Sequence, residues 1–138
     1  MKIFLDANIL VSVLNKEYPL YPYTSRILSL SQRSRFRIYT SPICLAIAFY
    51  FAEKKHGRVS AKKKINLLAE HILISSVDEK TVSLALKNKQ INDFEDGLEY
   101  YSAIQAGCQC IITEDSKDFL FATKEVMRSE EFVEKYMH

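Results

Sequence analysis

The sequence predicts an α/β domain, a parallel sheet flanked by helices, on three observations. Short runs of strand character alternate with longer helical ones along the chain. The two most apolar strand candidates, 2–5 and 110–112, run almost at once into acidic residues. The chain holds only three glycines and three prolines, as a helix-rich fold with short connections would. At 138 residues it has the length of one domain, and residues 1–138 are read as one, without linker, repeat or low-complexity segment.

The first strand is Lys2-Ile3-Phe4-Leu5, ending on Asp6-Ala7-Asn8 and turning into an apolar helix over residues 7–14. Tyr18-Pro19-Leu20-Tyr21-Pro22-Tyr23 then leads into a second helix from about Thr24 to Arg33, with Ile27, Leu28 and Leu30 on one side. Phe36 to Thr40 is rich in β-formers and reads as a strand. Ser41-Pro42 starts a helix, Ser as cap and Pro in the first turn. That helix, Ile43 to about Lys55, is almost wholly apolar before Glu53 and is expected to be buried; Gly57 stops it. Another helix spans about Ser60 to Glu70, a short strand 72–77, and a further helix Glu79 to Lys87. Asn92 or Asp93 caps the next helix, which runs to Gly107. Cys110-Ile111-Ile112 is the final strand, and Ser129 caps a last helix, Glu130 to Met137.

Composition narrows the class without naming it. The hydrophobic share is 48%, the charged share 26% and the net charge +2, ordinary for a soluble globular protein and too small to announce a nucleic-acid binder from the total. Cys44, Cys108 and Cys110 are odd in number, apolar in setting and without C-x-x-C spacing. They read as buried reduced thiols rather than a zinc site or a disulfide. No run approaches the roughly 20 apolar residues of a membrane span. The amino terminus passes into Asp6 too soon for a signal peptide, so the expected location is the cytoplasm, with no membrane partner.

The acidic residues carry the chemistry. Asp6 and Asp115 each follow a short apolar strand, so a parallel sheet brings both to one edge, the edge where such sheets bind ligands. Asp93 and Asp96 lie three apart at a helix start, on one face. Gathering such carboxylates costs repulsion unless a cation neutralises them, and hard divalent ions, Mg²⁺ or Mn²⁺, suit oxygen donors. Such an ion activates water and stabilises charge on a phosphate, which is the chemistry of phosphodiester hydrolysis. Each acid also has a plainer reading. Asp6 and Asp93 are good helix caps, Asp96 gains from the helix dipole, and Asp115, Asp118 and Glu114 can be loop acids, Glu114 facing solvent.

Three segments resemble the best-marked stretches of PIN domains: Phe4-Leu5-Asp6-Ala7-Asn8-Ile9-Leu10, Asp93-Phe94-Glu95-Asp96-Gly97-Leu98 and Ile111-Ile112-Thr113-Glu114-Asp115-Ser116-Lys117-Asp118-Phe119. The similarity is closest to short bacterial members of the VapC toxin type, and it runs from residue 2 to about 136. It implies a three-layer α/β/α fold with a four- or five-stranded parallel sheet, Mg²⁺- or Mn²⁺-dependent cleavage of RNA, an antitoxin partner and a homodimer. By position, Asp6 matches the first metal ligand and Asn8 the polar residue supporting it. Asp96 matches the acid that opens the family's Asp-Ala-Leu helix, and Asp115 and Asp118 the acids after the last core strand. Asp6, Asn8, Asp96 and Asp115 are thus the expected catalytic set, and Asp6, Asp93, Asp96, Asp115 and Asp118 the expected metal set.

The chain departs from the family at one place. PIN nucleases carry a Glu in the helix that starts here at Ser41-Pro42, and this chain has Ala46-Ile47-Ala48 there. Glu53 lies on the same helix but at least roughly 7.5 Å farther along. Asp93 or Glu95 is the expected replacement for the missing charge.

Basic residues at Lys54, Lys55, His56, Arg58, Lys62, Lys63 and Lys64, and at Arg33, Arg35 and Arg37, read first as solvated surface and second as a phosphate-contacting rim. Tyr18, Tyr21 and Tyr23 fit packing or a protein interface. Two other functions compete with a toxin ribonuclease. A haloacid-dehalogenase-type phosphatase also starts from an Asp after its first strand, but Asn8 stands where its second acid belongs. The other is a weak or inactive PIN-like domain that binds RNA or a protein partner.

Overall fold

The computed structural model describes Met1 to Met137. Its strands and helices alternate as β1 (Lys2–Leu5), α1 (Ala7–Asn15), α2 (Tyr21–Ser29), β2 (Arg37–Thr40), α3 (Pro42–His56), α4 (Arg58–His71), β3 (Leu73–Ile74), α5 (Glu79–Lys87), α6 (Phe94–Gln105), β4 (Cys110–Ile112), β5 (Glu125–Met127) and α7 (Ser129–Tyr136). The five strands pair in the order β3-β2-β1-β4-β5, every pair parallel. The chain therefore lays β2 and β3 on one side of β1, then returns to lay β4 and β5 on the other. The switch point of the sheet is the β1–β4 boundary, and a crevice opens beyond its carboxyl ends. Asp6 N donating to Ile112 O at 3.0 Å continues the ladder to that edge.

Burial follows from this order. β1 is central, and Ile3, Phe4 and Leu5 are wholly buried, as a strand covered on both faces requires. α1 packs on α2 and α3, α3 on α4, and α2 on α7, while α5 packs on α6. Right-handed crossovers put the α5–α6 pair on the face opposite the first group, giving three layers. Ser41 Oγ accepts from Cys44 N at 3.2 Å and Pro42 occupies the first turn of α3, as its sequence implies. Gly57 ends α3 at a φ of +85°, a backbone conformation that costs glycine little.

Four expectations need correction. α3 is not buried throughout. Its core stripe is Cys44, Ala48 and Ala52, small side chains one turn apart that let it lie close to α1, while Tyr50 and Phe51 face outward at 53% and 45% exposure. β5 was not expected: three residues beginning with a part-exposed Glu125 give no alternation to read, and their strand character comes from pairing with β4. The strand at 72–77 shrinks to Leu73–Ile74 at the sheet edge, where both side chains are exposed. α2 also begins earlier, at Tyr21, and passes into a 3-10 turn over Leu30–Gln32. The three cysteines are free and buried. Among the described residues no helix is long and apolar enough to cross a membrane.

Candidate active site

β1 ends by delivering Asp6 to the switch point, where it fills the capping role and turns its second oxygen towards the loop after β4. Its Oδ1 accepts from Ala7 N at 2.6 Å and caps α1, while its Oδ2 accepts from Thr113 Oγ1 at 2.7 Å. Each oxygen keeps further lone-pair capacity. Asn8, in the first turn of α1, ties the two strand ends together. Its Nδ2 lies 3.1 Å from Asp115 Oδ2, 3.2 Å from Thr113 Oγ1 and 3.4 Å from Asp6 Oδ2, and its Oδ1 accepts from Glu114 N at 3.2 Å. Thr113 Oγ1 also accepts from Asp115 N at 3.0 Å. The loop after β4 is thus fastened to the loop after β1 by one amide and one hydroxyl.

Asp6, Asn8, Asp93, Glu95, Asp96, Asp115 and Asp118 all line one pocket of about 480 Å³. Asp93 caps α6 by accepting from Glu95 N at 2.9 Å, and Asp96 follows in the first turn. Asp96 is pushed up to about 7, first by burial and then by the charges of Asp93, Asp118 and Asp6. Glu95 is raised for the same reasons, burial first, then Asp93 and Asp6. No lysine or arginine is among the described residues lining the pocket. A divalent cation fits this donor set: the donors are carboxylate oxygens, and the repulsion that raises Asp96 is what a cation relieves.

Ile47 stands on the pocket wall in α3, so the side that usually bears a helix acid is apolar. Glu53 does not take its place. It is occupied with Arg58, Nε to Oε2 at 3.3 Å, and does not line the pocket.

Two residues carry more than the sequence reading gave them. Glu99 lies one turn beyond Asp96 in α6, is 1% exposed, and its Oε2 has no hydrogen-bond partner. Burial, then the charge of Asp6, pushes it up to about 11. A carboxylate among the buried Tyr100, Ser102 and Ala103 of α6 was the available signal, masked by an apparently ordinary Glu-Tyr-Tyr run. Glu114 does not face solvent. It accepts from both Ser129 N, at 3.0 Å, and Ser129 Oγ, so it caps α7 from the loop that carries Asp115. Ser129 is accordingly the first residue of the helix and is itself capped. Glu114→Ala should cost about 1 kcal/mol, the worth of a cap, seen as a melting point lower by roughly 3 °C.

The comparisons with known proteins agree with this fold. The PIN domain family model matches residues 2–117. A curated relative, "Ribonuclease VapC1" of Aquifex aeolicus, is 27% identical over 138 residues, covering 98% of this chain and 95% of the relative. Among solved structures, VapBC-1 from nontypeable Haemophilus influenzae has a TM-score of 0.72 at 21% identity, covering 94% of this chain and 99% of that one. VapBC2 from Rickettsia felis has a TM-score of 0.70 at 20% identity, covering 93% and 98%. With the family model spanning most of its length and its acids gathered at the sheet's switch point, this chain belongs to the PIN domain family.

Proposed function

We propose that this protein is a divalent-metal-dependent endoribonuclease and the toxin of a toxin–antitoxin pair. The observation that carries the reading is the gathering of Asp6, Asp96 and Asp115 in one acidic pocket at the switch point. The name of the Aquifex relative supports RNA as substrate, and the VapBC neighbours support an antitoxin as partner.

In this reading Asp6, Asp96 and Asp115 hold Mg²⁺ or Mn²⁺, with Asp93 and Asp118 at the rim. When bound, such an ion lowers the pKa of water and offsets the charge that develops on a phosphodiester. The chain's own residues prepare for it. Thr113 and Asn8 fix the carboxylates of Asp6 and Asp115, so little side-chain freedom is lost on binding. Asp96 stays protonated to about 7 without a cation and deprotonates as one arrives. The antitoxin and a homodimer interface are assigned to apolar side chains left exposed, Tyr18 near α2 and Tyr50, Phe51 and Leu67 on α3 and α4. The site of action assigned is the cytoplasm.

A second reading, a PIN domain that binds RNA or protein without turnover, is favoured by Ile47 where a helix acid usually stands. A panel of structured RNAs incubated with Mg²⁺ or Mn²⁺ separates the two. Cleavage that EDTA stops is the expected result; RNA retention without cleavage in either metal would establish the binding module.

A further inference from the structure

Behind the open pocket, on the buried side of Asp6, lies a second group of donors. Asp6, Cys44 and Glu99 each offer one ligand atom, and the three atoms lie within 4.8 Å of one another, all on buried residues. Cys44 Sγ is 4.0 Å from Asp6 Oδ1. Donors on a tetrahedral ion, with bonds of roughly 2.0 Å to oxygen and 2.3 Å to sulfur, sit on the order of 3.5 Å apart, within reach of small side-chain rotations. The independent observation is Glu99 Oε2, an acceptor on a residue 99% buried that nothing satisfies. A buried carboxyl oxygen left without a donor is costly, and among the described residues no cation faces Glu99 to offset it. Only Asp6 belongs to both groups. Glu99 and Cys44 are absent from the lining of the open pocket.

We propose that Asp6, Cys44 and Glu99 form an inner metal site for a borderline divalent ion of the zinc or cobalt class, with Asp6 bridging it to the open carboxylate pocket. The donor chemistry selects the class. A thiolate with two carboxylates suits zinc-like ions, whereas Mg²⁺ demands oxygen ligands and keeps its waters. Binding releases two protons to solvent, the Cys44 thiol proton as the metal–sulfur bond forms and the Glu99 carboxyl proton as its oxygen becomes a ligand. This revises the reading of Cys44 as an inert core thiol. It also makes Glu99, rather than Asp93 or Glu95, the acid that answers the apolar Ile47 of α3. The inner site stands on its own three residues, and only its bridge to catalysis rests on the proposed nuclease activity.

The test is a Co²⁺ titration of the full chain, followed by absorbance and by calorimetry. A thiolate-to-cobalt charge-transfer band should grow to one equivalent. It should vanish in Cys44→Ser and persist in Cys108→Ser. Glu99→Gln, an isosteric change, should weaken Co²⁺ binding at least tenfold without loss of fold by circular dichroism. No band at saturating Co²⁺, a band that survives Cys44→Ser, or unchanged affinity in Glu99→Gln would each overturn the proposal. Glu99→Gln carries the test if Cys44→Ser does not fold. RNA cleavage in Mg²⁺ alone is scored separately: cleavage without the band leaves the nuclease reading intact and removes the inner site, and the band without cleavage does the reverse.

Discussion

Asp6→Asn is expected to reduce metal-dependent RNA cleavage by on the order of a thousandfold, the scale of losing one preorganised electrostatic group from a catalytic site. The metal-free protein should meanwhile melt at the wild-type temperature or above. The structure gives the reason for both halves. Asparagine keeps an oxygen that can accept from Ala7 N, so the α1 cap survives. Its amide gives up the bond from Thr113 Oγ1, whose two lone pairs already face Asp115 N and Asn8 Nδ2, and relief of repulsion offsets that loss. What activity loses is the charge. Without a cation that charge repels Glu99 and Asp96, both raised in part by it. Single-turnover cleavage and thermal melting in EDTA measure the two halves. A metal-free melting point lower by more than about 3 °C, near 1 kcal/mol for a domain this size, would make Asp6 a structural cap first.

Metal and pH should move stability together, and by more than any surface substitution. The folded protein holds Asp96 at about 7, against roughly 3.9 for an unfolded Asp. Its neutral form therefore contributes stability that is complete below about pH 4 and is lost as pH rises towards and through 7. Glu99 acts in the same sense over a wider range, since burial keeps it near 11. Asp78, Glu125 and Glu131 have the opposite sign. Hydrogen bonds from Thr81, Lys135 and the Arg128 backbone, respectively, lower them, so their contribution fades as pH falls below about 4. The metal-free protein should be most stable near pH 4, less so at pH 5 and clearly less so at pH 8. Mn²⁺ at a hundred times its Kd adds about 2.7 kcal/mol, or roughly 8 °C. At one fixed Mn²⁺ concentration the gain should be larger at pH 8 than at pH 5, because protons compete for the same carboxylates and raise the Kd at the lower pH. Differential scanning fluorimetry with Mn²⁺ or EDTA across that range checks this. An equal gain at both pH values would mean that the ion does not bind at Asp96.

Much of this was legible because the signals were local. Asp6 and Asp115 follow short apolar strands, and a parallel sheet has one edge at which to put such residues. Ser41-Pro42 as the start of α3 follows from residue type and position alone, as does a cap for α6 at Asn92 or Asp93; the structure has the Ser41 bond and chooses Asp93. β5 escaped because its three residues acquire strand character only from pairing with β4. The partial exposure of α3 escaped because an all-apolar run cannot say which side chains meet α1; the small Ala48 and Ala52 do, and Tyr50 and Phe51 do not. Glu114 and Glu99 escaped for a shared reason. A carboxylate is read as solvent-facing by default, and only tertiary contact reveals that one caps a helix fifteen residues away and the other lies beneath Asp6.

In the proposed activity the acidic pocket at the β1–β4 switch point holds the cation that drives RNA hydrolysis. The most direct measurement is single-turnover cleavage of one RNA against Mn²⁺ concentration, for the wild-type protein and for Asp115→Asn. Asp115 lies at the exposed side of the pocket, and its loop stays fastened through Thr113 and Glu114, so the substitution changes charge more than structure. The expected result is a Mn²⁺ midpoint at least tenfold higher in the variant and no cleavage by either protein in EDTA. An unchanged midpoint, or cleavage that survives EDTA, would contradict it.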